Sequence, residues 1–243
     1  MTLHNATLVA TQQIAPSVRL LTFAPESQVR FTAGQWINLR IPVENQEFVT
    51  RSYSIANAPR DDGHLEFAIT QVQDGPGSTA LHRLSLGDII EHSHAQGFFT
   101  LEPVERPIVM VATGTGIAPL RAMLQALTRE PLEVPVRVVL GVRSQPDLLF
   151  VDELRALEEQ TQGLLQFVPT LSRPEPTWTG RSGYVQTHLD AVIGSVSEDP
   201  VSTDGGVADV YICGLQRMIR EARDVLKNAL GFERQRIHTE RFD

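Results

Sequence analysis

Pro107-Ile108-Val109-Met110-Val111-Ala112 is an unbroken apolar run that passes directly into Thr113-Gly114-Thr115-Gly116-Ile117-Ala118-Pro119. An apolar run without alternation is the pattern of a strand buried on both faces. Leu120, Met123, Leu124 and Leu127 then share one helical stripe, and Pro119 suits its first turn. Strand, glycine turn and helix in this order commit this part of the chain to a layered α/β fold. Such a turn lets backbone amides approach a pyrophosphate, and the helix start favours its charge. Proline stands where the third glycine of Gly-x-Gly-x-x-Gly would be, so that dinucleotide fingerprint is not met.

The alternation repeats downstream. Strands are expected at Val136–Leu140, Leu164–Pro169, Val210–Gly214 and Arg236–Phe242. Helices are expected over roughly Val151–Glu159, Tyr184–Ile193 and the stripe Met218, Ala222, Val225, Leu226, Ala229. Residues 194–209 are acidic, polar and glycine-bearing, the pattern of a surface loop. Repeated strand–helix units give a parallel sheet, whose ligands bind at the carboxyl ends of the strands. Those ends carry Thr113–Gly116, Gly141–Ser144, Thr170–Arg173, Cys213–Gly214 and Glu240–Phe242, which should converge on one edge.

Up to about residue 100 the rhythm is different. Thr7–Ala10, Val18–Phe23, Gly34–Ile41, Phe48–Ile55, Leu65–Val72 and Leu86–Ile90 read as short strands about ten residues apart, punctuated by Gly, Pro and Asp. That spacing predicts a small antiparallel β-barrel. The organisation is thus a barrel over 1–103 and an α/β domain over 104–243. Within the barrel, Arg51-Ser52-Tyr53-Ser54 places three different tools at a strand end. An arginine fork suits a phosphate, a tyrosine offers a flat face, and a serine offers a hydroxyl. In a strand Arg51 and Tyr53 point to one face and Ser54 to the other. Gly75-Pro76-Gly77-Ser78-Thr79 opens a short helix whose free amides could hold an anion. Taken alone, that segment reads as a simple helix capped by Ser78 or Thr79.

Composition excludes several classes. A net charge of -8 argues against nucleic acid and anionic membrane as main partners. No apolar run is long enough to span a bilayer, and Met1–Asn5 lacks the basic start of a signal peptide, so the cytoplasm is the expected location. The single cysteine, Cys213, rules out an internal disulfide and a four-cysteine iron–sulfur or zinc site within these residues. His92 and His94 sit two apart with no third ligand near in sequence, the pattern of surface or barrel-lining histidines; no metal site is expected.

With Arg51-x-Tyr53-Ser54, Gly75-x-x-Ser78-x-x-Leu81, Gly114-Thr115-Gly116-Ile117-Ala118-Pro119 and Cys213-Gly214 in this order, the chain resembles the ferredoxin–NADP⁺ reductase superfamily over nearly its whole length. The resemblance implies a flavin-binding barrel followed by a nicotinamide-binding α/β domain. It implies that Arg51 holds the flavin phosphate, that Tyr53 stacks on the isoalloxazine, and that Ser54 bonds near N5, with Ser52 in the same segment. Gly75, Gly77, Ser78 and Thr79 would hold the flavin pyrophosphate. Thr113, Gly114, Thr115 and Gly116 would hold the nicotinamide dinucleotide. Cys213 and Gly214 would lie beside the nicotinamide, Glu240 would position it or pass protons, and Phe242 would cover the flavin. Ser172 and Arg173, with Arg143 as a second candidate, resemble the segment that holds a 2′-phosphate. Leu215 in place of proline, Ala95-Gln96-Gly97 in place of Pro-x-Gly, and Phe242 in place of tyrosine favour a bacterial-type reductase over a plastid one.

The implied activity is flavin-dependent. NAD(P)H would reduce FAD, with FMN as the alternative flavin, and electrons would pass to a separate redox protein such as a ferredoxin or an oxygenase component. One other reading is a flavin electron-transfer subunit with little activity away from its partner. A plain nicotinamide dehydrogenase would leave the barrel and Arg51–Ser54 without a purpose.

Overall fold

The computed structural model describes residues 2–44, 47–196 and 207–242. Contacts divide the chain into two compact units, Met1–Leu101 with Arg121–Ala126, and Glu102–Leu120 with Leu127–Asp243.

The first unit contains β1 (His4–Ala15), β2 (Val18–Pro25), β3 (Trp36–Pro42), β4 (Phe48–Ser54), β5 (Leu65–Thr70), α1 (Pro76–Arg83) and β6 (Ile89–His92). They form one antiparallel sheet in the order β4-β3-β6-β1-β2-β5. Just past β4, the Ala56 N–H donates to the carbonyl of Glu66 on β5 at 2.8 Å, which draws the two outer strands of the sheet together. Inward residues alternate along each strand, as half-buried strands require. Leu8, Leu21, Phe23, Ile37, Leu39, Ile41, Phe67 and Ile69 build the core, and Leu81 of α1 joins it from the end.

Two local expectations are corrected. β1 is twelve residues long rather than four, because its polar stretch Thr11-Gln12-Gln13 is held by pairing with β2. An antiparallel ladder satisfies backbone groups whatever the side chains, so hydrophobic pattern alone underestimates such a strand. The α1 cap is Gly75, with no side-chain cap bond. The Ser78 hydroxyl instead accepts from the Val72 N–H (3.1 Å) and donates to the Gly75 carbonyl (3.2 Å), closing the turn that precedes the helix.

The second unit starts with β7 (Ile108–Thr113), which leads through a 3₁₀ turn at Gly114–Gly116 into α2 (Ile117–Leu127). After these come β8 (Val136–Val142), α3 (Val151–Gln160), β9 (Leu165–Leu171), β10 (Arg181–Ser182), α4 (Leu189–Gly194), β11 (Asp209–Gly214), α5 (Gln216–Asp224) and β12 (Ile237–Arg241). The sheet is parallel throughout, in the order β10-β9-β8-β7-β11-β12. Every residue of β11 is buried, as is all but the last of β7 and of β8; this matches the apolar run of β7, while β8 and β11 also bury the charged Arg137 and Asp209. The helix expected to run on to Ala229 changes after Asp224 into a π-helical turn over Val225–Ala229. Of the loop expected over 194–209, residues 197–206 lie outside the described residues, and Asp209 already belongs to β11. Among the described residues, no helix is long and apolar enough to cross a membrane.

One ion cluster ties the first unit together. Glu66 on β5 is 9% exposed and accepts from Arg121 at 2.7 Å and from Arg60 at 2.8 Å, while Arg121 also donates to the Ala56 carbonyl at 2.8 Å. Removing one member of a buried pair leaves the other charge poorly solvated. Arg121→Met is therefore expected to lower the unfolding free energy by about 3 kcal/mol, at the low end for a broken buried pair because Arg60 still reaches Glu66. Urea denaturation checks this, and a loss below about 1 kcal/mol would mean that the cluster behaves as an exposed one.

Candidate functional site

Two sets of residues carry the chemistry, one in each unit. In the first, β4 pairs with β3 so that Arg51 lies opposite Leu39 and Tyr53 opposite Ile37. Arg51, Tyr53 and Val49 alternate onto one face of β4. The start of α1 rests on that face: a Cβ placed on Gly77 would lie 3.2 Å from Val49 and 3.3 Å from the Arg51 stem. First-turn amides have no acceptor within their own helix, and Pro76 contributes none. Thus an exposed guanidinium and the N-terminal end of a helix sit side by side, the donor set a phosphate needs. Arg51 itself spends one N–H on the Thr50 carbonyl at 2.8 Å.

Tyr53 is partly buried and packs against the core cluster. Burial raises its phenol pKa while Arg51 pulls the other way, so it stays a neutral, flat face beside a cation. Ser54 ends the strand at 6% exposure, opposite Trp36. Ser52 is exposed and its hydroxyl donates to Asn38 Oδ1 at 2.8 Å. Gly75 caps α1. Ser78 uses its hydroxyl within the turn, so its backbone amide is what it has left to offer. Thr79 also lines a cavity with Thr11, Gln13, Arg19, Gln71, His82 and Arg83.

In the second unit the strand order reverses between β7 and β11, because β8 to β10 extend one way from β7 and β11 and β12 the other. Ligands of open parallel sheets bind at such a reversal. Thr113 sits here, opposite Gly141, and Cys213 pairs with Ala112 on one side and Glu240 on the other. Gly116 makes the crossing possible. A Cβ on it would come within 2.3 Å of the Cys213 carbonyl oxygen and 2.9 Å of Gly214 Cα. Gly214, at φ +147°, would drive a Cβ to 2.3 Å from Thr113 Oγ1. Gly114 and Thr115 are partly exposed in the turn between. The Phe242 N–H donates to the Gly214 carbonyl at 2.9 Å, which brings the segment after β12 to the same edge.

Cys213 is fully buried, and burial, then the Glu240 carboxylate, hold its thiol pKa well above the ordinary range. It is a neutral thiol and no thiolate nucleophile. Arg143 and Arg173 are both exposed beyond β8 and β9, tied together by the Arg173 N–H donating to the Arg143 carbonyl at 2.8 Å. The Ser172 N–H donates to the Val142 carbonyl at 3.0 Å. The sequence reading missed β10, which sets the exposed Arg181 beside Thr170 at this edge. A two-residue strand has no periodicity to detect; only the Trp178–Gly180 turn, where a Cβ on Gly180 would meet the Trp178 ring at 2.3 Å, marks the place.

A thiol that is buried and raised is expected to resist alkylation. In the native protein, iodoacetamide should modify Cys213 far more slowly than a free cysteine at pH 8. The rate should keep climbing with pH, with no plateau near the ordinary thiol pKa of about 8.5. A rate like that of the urea-unfolded chain would mean that the thiol is open to solvent.

Family models match both halves of the chain. Residues 5–100 match the family model of the oxidoreductase FAD-binding domain and residues 110–224 that of the oxidoreductase NAD-binding domain. The chain is 39% identical to ferredoxin–NADP reductase B of Sorangium cellulosum, across 98% of this chain and 97% of that protein. It is 27% identical to the toluate 1,2-dioxygenase electron transfer component of Pseudomonas putida, covering 98% of this chain but 67% of that longer protein. A solved ferredoxin NADP⁺ reductase from Neisseria gonorrhoeae, with bound FAD and NADP, superposes with a TM-score of 0.83 at 25% identity over 99% of each chain. By its two domains and its full-length similarity to a ferredoxin–NADP reductase, the chain belongs to the ferredoxin–NADP⁺ reductase superfamily.

Proposed function

We propose that the protein is a flavin-dependent NAD(P)H reductase that delivers electrons to a separate redox protein, a ferredoxin or an oxygenase component. The observation that carries this reading is the pair of preformed anion sites. One is Arg51 against the first turn of α1, and the other is the glycine turn at the β7/β11 reversal. Full-length similarity to a ferredoxin–NADP reductase and to an oxygenase electron transfer component supports it. Bound FAD would supply what the side chains lack, the capacity to take a hydride and release its two electrons one at a time.

The residues bind, orient and keep water away. Arg51 and the amides of Gly77 and Ser78 would hold the flavin phosphates, Tyr53 would give its neutral face to the isoalloxazine, and Ser54 would offer it a hydroxyl. Ser52 holds the strand end to β3 through Asn38. Thr113 to Gly116 cradle the dinucleotide of the coenzyme, on the amides of the turn into α2. Cys213, neutral and buried, would lie beside the nicotinamide, and Glu240, its neighbour on β12, would position it. Phe242 would cover the flavin, as the family resemblance implies. The use of a nicotinamide coenzyme supports a cytoplasmic location.

Arg143, Arg173 and Arg181 stand exposed beyond β8, β9 and at β10, and we assign them to the 2′-phosphate of NADPH. A charge-assisted bond contributes about 1.5–3 kcal/mol. Arg173→Ala is therefore expected to raise the KM for NADPH about tenfold or more and to leave that for NADH unchanged. Equal effects on both coenzymes would remove Arg173 from phosphate recognition.

The direct test is an absorbance spectrum of the purified protein followed by anaerobic titration with NADPH and with NADH. A flavin spectrum that bleaches with either supports the reductase. Flavin that stays oxidised with both would overturn it in favour of a subunit active only on its partner. Failure to take up FAD or FMN would overturn the flavin reading itself.

A further inference from the structure

Antiparallel pairing of β1 with β6 sets His4 opposite His92. His94 lies two residues beyond His92, past the end of β6, where its ring meets that of His4. The sequence showed no third histidine near this pair, yet the fold supplies one from 88 positions away. The His4 and His94 Nε2 atoms share a hydrogen bond at 3.4 Å, and their rings meet edge-on with centroids at 4.7 Å. The His92 ring is 5.8 Å from that of His4. Two imidazole nitrogens bound to one tetrahedral zinc ion at about 2.0–2.1 Å lie about 3.3 Å from each other. The hydrogen-bonded spacing is close to that value, so an ion can take the place of the shared proton with little movement of the two rings.

His92 adds a second observation. It is 2% exposed, its Nδ1 lies 2.8 Å from the Ser93 carbonyl, and its Nε2 is buried without a hydrogen-bond partner. A carbonyl can only accept, so Nδ1 carries the proton and Nε2 presents a bare lone pair. A buried acceptor left unpaired is costly, and it needs a donor beside it. Among the described residues, no three His, Cys, Asp or Glu side chains are already closed around one point as a metal cage. An ion held here would therefore have two side-chain ligands and would keep its own water.

We propose that His4 and His94 form an open, two-imidazole site for a borderline divalent cation of the Zn²⁺ and Ni²⁺ class. Water on the ion fills the remaining positions, and one such water donates to His92 Nε2. Imidazole pairs suit these ions, whereas Mg²⁺ and Ca²⁺ demand oxygen ligands. The site uses none of the residues assigned to flavin or nicotinamide.

Isothermal titration of the flavin-loaded full-length chain with Zn²⁺, and separately with Ni²⁺, tests it. One equivalent should bind, excess Mg²⁺ should not displace it, and His94→Ala and His4→Ala should each weaken it by at least about tenfold. Retained flavin and an unchanged melting temperature show that each variant is folded, and the exposed His94 is the safer of the two. Absence of binding, displacement by Mg²⁺, or wild-type affinity in both variants would each overturn the proposal. X-ray absorption of the Zn²⁺-loaded wild type gives a check that needs no variant. Two imidazole nitrogens in the coordination sphere support the site, and none, or a sphere of carboxylates, overturns it.

Discussion

The approach of Gly116 to the Cys213 carbonyl is the contact on which the second unit depends. It closes the turn after β7 onto the end of β11, across the one place where the strand order reverses. No side chain fits between them, since even a Cβ would lie 2.3 Å from the oxygen. The same crossing leaves the first amides of α2 facing the crevice beyond the strands. It also buries Cys213, which puts the neutral thiol and its neighbour Glu240 at the same edge. Packing and binding are here one arrangement: backbone set this close can take an anion without any side-chain charge.

The first unit solves the complementary problem with a cation. Gly77 lets α1 lie against Arg51 and Val49, so a guanidinium and a helix start act on one spot. Ser78 shows how local demands compete. Its hydroxyl suits an anion as well as a helix cap, but the turn from Val72 to Gly75 has polar groups of its own to satisfy. Buried backbone groups must find partners, and here the turn takes the hydroxyl and leaves the amide for a ligand.

The α/β half was readable because its signals are local. Six apolar residues in a row, a glycine turn and a striped helix need no knowledge of what surrounds them. The barrel was readable as a rhythm of strands, but its details were less so. β1 extends through Thr11-Gln12-Gln13 because β2 pairs with it, and polar residues carry no mark of that pairing. β10 escaped for a related reason. Two residues have no period, and Arg181 is placed at the sheet edge by pairing with Thr170 on β9. The four motifs of the candidate site were visible at their own positions, but their neighbours were not. Nothing in the string Arg51-Ser52-Tyr53-Ser54 says that Gly77 lies against its arginine.

The sequence by itself determined the fold class, the order of the two domains and the residue types at the strand ends. These follow from hydrophobic period and from glycine and proline placement, which act over a few residues. Only the tertiary structure decided which distant residues share a surface. His4 meets His92 through the β1–β6 register, and Cys213 meets Gly116 where β7 and β11 lie side by side. Registers of this kind join segments some 90 to 100 residues apart. They are set by the packing of whole sheets, and no local pattern encodes them.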